Sequence, residues 1–142
     1  MPVLFVKRYS RQDARANPKV LYLFGDNADR IGMAGQAAEM RGEPNAVGVR
    51  TKWHPHNQSR AFFADGDYAA CTAMIRSDLL RAEEHVRDGG IVVVPLDGLG
   101  TGLARLPECA PRINEFLRGA LSRLALTELD RAITTIEAKE PK

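Results

Sequence analysis

The chain has 142 residues, a length that favours one domain with a real hydrophobic core. Apolar residues make up 44% and charged residues 27%, which excludes a wholly disordered or collagen-like chain. The net charge is +2 and the basic residues are scattered, which argues against a DNA-binding protein. No apolar run approaches the ~18 residues that span a bilayer, so we expect no membrane segment. Lys7 and Arg8 follow the first apolar run instead of preceding it, so we expect no signal peptide. Cys71 and Cys109 lack metal-ligand spacing and fit a reduced, cytoplasmic protein.

Short apolar runs alternate with helix-like segments along the chain. The predicted strands are 3–6, 20–24, 46–49, 61–63 and 91–94, and the predicted helices are 33–40, 67–87 and 108–124. This order predicts an α/β fold of three layers, with helices on both faces of a mixed, mostly parallel sheet. The runs 20–24 and 91–94 are apolar on both faces, so we place them near the middle of that sheet. Residues 1–125 form the predicted domain, and 126–142 a helical or frayed tail.

A glycine-rich loop over 95–106 follows the strongest predicted strand. Its candidate ligand-binding residues are Gly98, Leu99, Gly100, Thr101, Gly102 and Leu103. Glycines let backbone N–H groups approach a ligand and form a concave set of donors that suits a diphosphate. The loop is neither a P-loop, since no Gly-Lys-Ser/Thr follows, nor a dinucleotide fingerprint. A plain strand-to-helix connection is the alternative, although twelve residues exceed what such a connection needs.

A second loop follows the predicted strand 20–24. Asp26 and Asn27 stand where that strand ends, and their side chains can bind a hydroxyl group or an exocyclic amine. Gly32 and Gly35, followed by Gln36, allow close backbone approach at a helix start. An Asx turn with a helix cap is the alternative for this segment. Because ligands of open α/β sheets bind beyond the carboxyl ends of strands, we expect the two loops to face one cleft.

Polar residues surround the only tryptophan, in the stretch 51–57. Trp53 could stack on a base or ribose, or be a half-buried core residue. His54 is a candidate general base, or simply an exposed loop histidine. His54 and His56 have no further ligand at metal spacing, so we expect neither a metal nor another cofactor. Asp65 could be catalytic, but a helix cap is favoured.

The two loops together resemble those of macro domains, the ADP-ribose-binding modules. The stretches FGDN at 24–27, GMAGQA at 32–37 and VVVP followed by GLGTGL at 92–95 and 98–103 carry this resemblance. The family's Asn-Ala-Ala-Asn is reduced here to Gly-Asp-Asn, and 43–57 has no clear counterpart. The chain also resembles small uncharacterised proteins of bacteria and phages that share the pattern FGDN, GQA, EPNA and GTGLA. Rossmann-like nucleotide-binding proteins of the lysine-decarboxylase-like type have a similar loop, but Arg105 and Leu106 stand near the place of their glutamate.

The macro-domain resemblance implies binding of ADP-ribose or a related nucleotide diphosphate. Residues 98–103 would then hold the diphosphate, 32–36 the distal ribose or a phosphate, and Asp26 or Asn27 the adenine or ribose. As an enzyme the protein would hydrolyse ADP-ribosyl bonds on a protein or nucleic acid, with Asn27 or Asp26 orienting water without a metal. The alternatives are a non-catalytic ADP-ribose sensor and a Rossmann-like nucleotide N-glycosidase.

Overall fold

The structure, a computed structural model, describes residues 3–139, with side chains over residues 3–127. The strands are β1 (Val3–Val6), β2 (Leu21–Asn27), β3 (Ala46–Lys52) and β4 (Val92–Pro95). The α-helices are α1 (Arg11–Ala16), α2 (Ala37–Met40), α3 (Tyr68–Arg87), α4 (Leu106–Cys109) and α5 (Pro111–Lys139). Two single-turn 3-10 helices, Ser59–Ala61 and Asp65–Asp67, precede α3. No helix in this part of the chain is long and apolar enough to cross a membrane.

The four strands form one sheet in the order β1-β4-β2-β3, and every pair of neighbours is parallel. The prediction of an α/β fold is confirmed, and β2 and β4 are the two central strands as expected. The sheet is parallel throughout and not mixed. The predicted strand 61–63 contributes only an isolated antiparallel bridge between Lys52 and Phe62, because the chain turns through a 3-10 helix just before it.

Helices cover both faces of the sheet. Along β2, Leu21 and Leu23 belong to the core under α3 and α5, whereas Tyr22 and Phe24 belong to the core that includes residues of α1 and α2. Successive side chains of a strand point to opposite faces, so a strand buried on both sides reads as a continuous apolar run. The same alternation holds in β4, and the predicted three-layer architecture is confirmed.

The second long helix differs from its prediction at both ends. Residues 106–109 form the separate helix α4, and the chain leaves helical geometry at Ala110, where φ is −148°. Ala110 precedes Pro111, and the proline ring disfavours helical backbone in the residue before it. At the other end α5 continues beyond 124 to Lys139, so the segment predicted from 126 as a helical or frayed tail is helical as far as Lys139. Residues 140–142 lie outside the described residues.

The segment between α2 and β3 ties two other elements together. Asn45 is buried, and its Nδ2 lies within hydrogen-bond distance of three backbone carbonyls, those of Ala14, Asn17 and Val20. These carbonyls include the end of α1, where backbone acceptors have no partner inside the helix. Part of the EPNA stretch therefore has a structural role: it fixes the path from α1 to β2.

Glu43, in the same stretch, provides a test of stability against pH. Its carboxylate accepts hydrogen bonds from Arg11 Nη1 at 2.6 Å and Arg15 Nε at 3.1 Å, and the bond from Arg11 is the main reason why its pKa is lowered. A lowered folded-state pKa stabilises the protein above the unfolded value, and this contribution is lost as pH falls through the folded-state pKa. We therefore expect Glu43→Gln to reduce the free energy of unfolding at pH 7, and to reduce it less at pH 3, where part of this contribution is already lost.

Urea unfolding of both proteins at the two pH values measures this difference. Glu84→Gln, an exposed change on α3, is the matched control and should show no such pH dependence. A deficit in Glu43→Gln that is equally large at pH 3 would contradict the assignment.

Candidate functional site

The two predicted loops meet at the carboxyl ends of the central strands. After β2 the chain passes to α2, on the face that also carries α1, and after β4 it passes to α4 and α5 on the opposite face. Adjacent parallel strands whose connections leave to opposite faces open a crevice between them, the usual ligand site of such sheets. The loops are in close approach here, since a Cβ on Gly25 would lie 3.8 Å from the backbone nitrogen of Gly100.

A cleft of about 80 Å³ lies beside this meeting point. It is lined by four of the residues singled out in the sequence, Asp26, Asn27, Gly32 and Leu103, and by others that include Arg41, Thr51, Lys52 and Ala104. Pockets for whole drug-sized ligands are typically about 300–1,000 Å³. The cleft therefore has room for one phosphate-sized group and not for a complete nucleotide.

Asp26 is engaged by the protein itself. Its buried carboxylate receives guanidinium hydrogen bonds from Arg41 on one side and from Arg30 Nη1, at 3.1 Å, on the other. The backbone amide of Asn27 also donates to it, at 2.8 Å. A carboxylate with these partners is committed to holding Arg41 beside the cleft. Asp26 therefore positions the guanidinium group of Arg41, and its carboxylate oxygens have few lone pairs left for a ligand.

Asn27 lines the cleft and has a buried acceptor that is unpaired within the described residues. The residue is 8% exposed, and its Nδ2 donates to the carbonyl oxygen of Ile31 at 2.7 Å, which fixes the orientation of the side chain. Its Oδ1 is buried and has no hydrogen-bond partner among the described residues. A buried acceptor without a donor costs about 1–3 kcal/mol, so such an atom is suited to a donor that arrives with a ligand or water.

Lys52 is a buried cation without a carboxylate partner in the part of the chain that the structure describes. It stands beside Asn27 in the register of β2 and β3 and is 6% exposed. Its Nζ donates to Asn57 Oδ1 at 3.1 Å and lies 4.9 Å from the centre of the Phe62 ring. Burial lowers the pKa of this amine. Lysines are almost never fully buried unless paired, so the position calls for an anion.

Lys52 and Arg41 are not among the site residues predicted from the sequence. Lys52 lies next to Trp53 and His54, which drew attention to aromatic and imidazole chemistry instead. Only the register of β3 against β2 pairs Lys52 with Asn27, and a register between strands far apart in sequence is not visible in the sequence alone.

The glycine loop divides into a packed part and an exposed part. Gly98 and Gly100 have positive φ values of 87° and 78°, and the side chain of Leu99 is buried in the core. The residues 101–103, by contrast, are exposed, and none of their backbone amides donates to an acceptor in the described part of the chain. These three successive N–H groups are the donors that the loop can offer to an anion.

Three predicted ligand-binding residues outside the glycine loop also lie away from the lining of the cleft, which includes only Leu103 of that loop's candidates. Gly35 is exposed, and Gln36 uses its side-chain amide to bind both the backbone nitrogen and the backbone oxygen of Tyr9. Trp53 is half-buried and packs edge-on against Phe63, with ring centres 5.0 Å apart. Gln36 and Trp53 thus have structural contacts that already account for their positions.

His54, the candidate general base, forms a polar pair with Asp29. His54 Nδ1 lies 2.7 Å from Asp29 Oδ2, and its ring stacks on His56 with 5.4 Å between centres. The pKa of His56 is lowered, mainly by burial.

The Asp65 carboxylate accepts hydrogen bonds from two backbone amides in the first turn of α5. It is a helix cap as expected, although for α5 and not for the adjacent α3.

Residues 4–120 match the model of one protein family across the strands, the cleft and the glycine loop. The chain belongs to DUF7831, a family of unknown function. Neither a curated protein nor a solved structure matches it. These comparisons identify a family and no activity.

Proposed function

We propose that the cleft binds a phosphate group of a nucleotide, with ADP-ribose or a related nucleotide diphosphate as the ligand. The observation that carries this proposal is the buried ammonium group of Lys52, which has no carboxylate partner among the described residues. A phosphate would supply the missing negative charge and accept charge-assisted hydrogen bonds.

The surroundings of Lys52 support an anion in the same place. Arg41, held by Asp26, adds a second cation to the lining, and the exposed amides of 101–103 add neutral donors nearby. The volume of about 80 Å³ suits one phosphate, so the rest of the ligand would lie outside the cleft along the glycine loop. The choice of ADP-ribose within the nucleotides rests on the resemblance of the loops to those of macro domains.

Hydrolysis of an ADP-ribosyl bond is a second candidate, favoured by the unpaired Oδ1 of Asn27 and by the pairing of His54 with Asp29. In such a reaction a water attacks the anomeric carbon as the bond from that carbon to the modified group breaks; a general base removes a proton from the water, and the released group takes up a proton. Asn27 would accept a hydrogen bond from that water, and His54, oriented by Asp29, is the candidate base. Release of ADP-ribose from a modified protein or nucleic acid separates this candidate from a sensor, and release of a free base from a nucleotide indicates an N-glycosidase.

A thermal-shift titration tests the binding proposal. Ligand that binds only the folded state raises the free energy of unfolding by RT ln(1 + [L]/Kd), about 2.7 kcal/mol at a hundredfold excess over Kd. We expect ADP-ribose and ADP to raise the melting temperature in a concentration-dependent way, and adenosine to do so much less. If ADP-ribose, ADP and pyrophosphate all leave the melting temperature unchanged at millimolar concentrations, the proposal is wrong.

A further inference from the structure

A second cavity, of about 400 Å³, adjoins the cleft. Its lining includes Asn57, Phe62 and Arg105, and none of the described residues that line it carries a carboxylate. Arg105 directly follows Ala104, which lines the cleft. Asn57 accepts a hydrogen bond, at 3.1 Å, from the Nζ of Lys52, which also lines the cleft. The second cavity is therefore close enough to take a part of the ligand that the cleft, at about 80 Å³, does not hold.

The polar groups of the second cavity are accessible hydrogen-bond donors. Arg105 is exposed, and its guanidinium group forms no ion pair with a described residue. Asn57 is exposed as well, and because Lys52 occupies its Oδ1, its amide N–H groups remain for an acceptor outside the protein. Ser59 adds an exposed hydroxyl group. A cation and neutral donors in a lining without carboxylates favour a bound anion.

The backbone of Arg105 is a separate observation that points to its side chain. Its φ is 47° and its ψ is 38°, a left-handed conformation that glycine and asparagine adopt more readily than arginine. Strained backbone of this kind is concentrated at functional sites. Arg30 is the other non-glycine residue with a positive φ in the described part of the chain, and Asp26 and Asp78 bind its guanidinium group. An anion in the second cavity would give Arg105 the corresponding partner.

The spacing of the two cations suits a diphosphate. The centre of the Phe62 ring is 4.9 Å from Lys52 Nζ and 5.9 Å from Arg105 Cζ, so these two atoms are separated by no more than the sum of the two distances. The outer oxygens of a diphosphate lie about 5 Å apart, and each can accept a charge-assisted hydrogen bond of about 2.7–2.9 Å. One diphosphate is therefore long enough to accept hydrogen bonds from both groups.

We infer that Arg105 and Asn57 bind the second phosphate of the ligand, so that the protein selects a diphosphate over a monophosphate. The inference rests on the proposed function, because Lys52 and the cleft bind the first phosphate. Arg105 is then a specificity-determining residue. It contributes to the affinity for two linked phosphates and is not needed for binding of one phosphate in the cleft.

Calorimetric titration with orthophosphate and pyrophosphate tests the inference. We expect the wild type to bind pyrophosphate at least about tenfold more tightly than orthophosphate. In Arg105→Asn, the affinity for pyrophosphate should fall about tenfold, whereas the affinity for orthophosphate should stay unchanged. Asparagine tolerates the positive φ, and Arg105→Gly, which relieves it entirely, is a second variant that should behave in the same way. Arg60→Asn, a change of an exposed arginine outside the lining of either cavity, is the matched control for the loss of one positive charge and should alter neither affinity.

The outcomes separate this inference from the proposed function. If the wild type binds both anions equally well, or if both variants at 105 keep the preference for pyrophosphate, the second phosphate site is overturned and the phosphate site at Lys52 stands. If the variants at 105 lose orthophosphate binding while Lys52→Met retains it, the anion is bound at Arg105 and the proposed site at Lys52 is wrong. If neither anion binds the wild type, both are overturned.

Discussion

Replacement of Lys52 by methionine should abolish binding of pyrophosphate and strongly weaken binding of ADP-ribose, while the protein stays folded. A hydrogen bond to a charged group contributes about 1.5–3 kcal/mol, which corresponds to a loss of roughly 10- to 150-fold in affinity. Methionine keeps most of the length of the side chain and removes a charge that is only 6% exposed. Removal of a buried charge without a carboxylate partner should leave the free energy of unfolding unchanged or raise it.

Binding measured by calorimetry and stability measured by urea unfolding check these two opposite effects. Lys19→Met, an exposed change just before β2 and so at the other end of the sheet, is the matched control and should alter neither quantity. The pKa of Lys52 is lowered by burial, so wild-type affinity for pyrophosphate should fall as pH rises through that pKa. An unchanged affinity in Lys52→Met would show that the buried ammonium group does not hold the anion.

Substitutions at Gly100 and Gly102 should have different consequences, although the two residues are close in the loop. A Cβ on Gly100 would lie 3.0–3.1 Å from atoms of Leu106 and Thr51, and its φ is +78°. Backbone strain of about 1–2 kcal/mol adds to overpacking of about 1–3 kcal/mol, so Gly100→Ala should reduce the free energy of unfolding by about 2–5 kcal/mol. Gly100 is therefore primarily a packing residue.

Gly102 is the residue that tests contact with a ligand. Nothing lies within 4 Å of a Cβ built there, and its φ is outside the positive region. We expect Gly102→Val to change the free energy of unfolding by no more than about 0.5 kcal/mol, as for other surface substitutions. Its branched side chain should crowd the exposed amides of 101–103 and weaken ADP-ribose binding more than tenfold. Should Gly102→Val fold and bind as the wild type does, the exposed half of the loop is only a connection.

Much of the fold could be predicted because local patterns determine it. Strands buried on both faces have to be apolar at every position, and α3 shows its buried side at the three-and-four spacing, as Cys71, Ile75, Leu79 and Ala82 do. The break before Pro111 was equally visible in the sequence, but it was not used, and one helix was predicted where α4 and α5 stand.

The candidate site was only partly predictable. Strand ends and glycine-rich loops can be recognised from neighbouring residues in the sequence. Asn27 and the loop 98–103 could be predicted as site residues for this reason. The sequence does not show which hydrogen-bond partners a side chain has within the fold. Gln36 hydrogen-bonds to the backbone of Tyr9, and Asp26 forms ion pairs with Arg41 and Arg30, so neither side chain is free to bind a ligand as predicted.

The sequence by itself determined the α/β class, the two central strands and the two loops at their carboxyl ends, because each depends on residues close together in the chain. Tertiary structure decided which polar groups remain open. The strand order places β2 between β4 and β3, so Lys52 comes beside Asn27 and the glycine loop comes against Gly25. Among the buried polar groups, those that already have a partner within the protein differ from those that do not. A charge or hydrogen-bond acceptor that is buried away from water needs a partner. Among the described residues, Lys52 has no carboxylate partner and Asn27 Oδ1 has no hydrogen-bond donor.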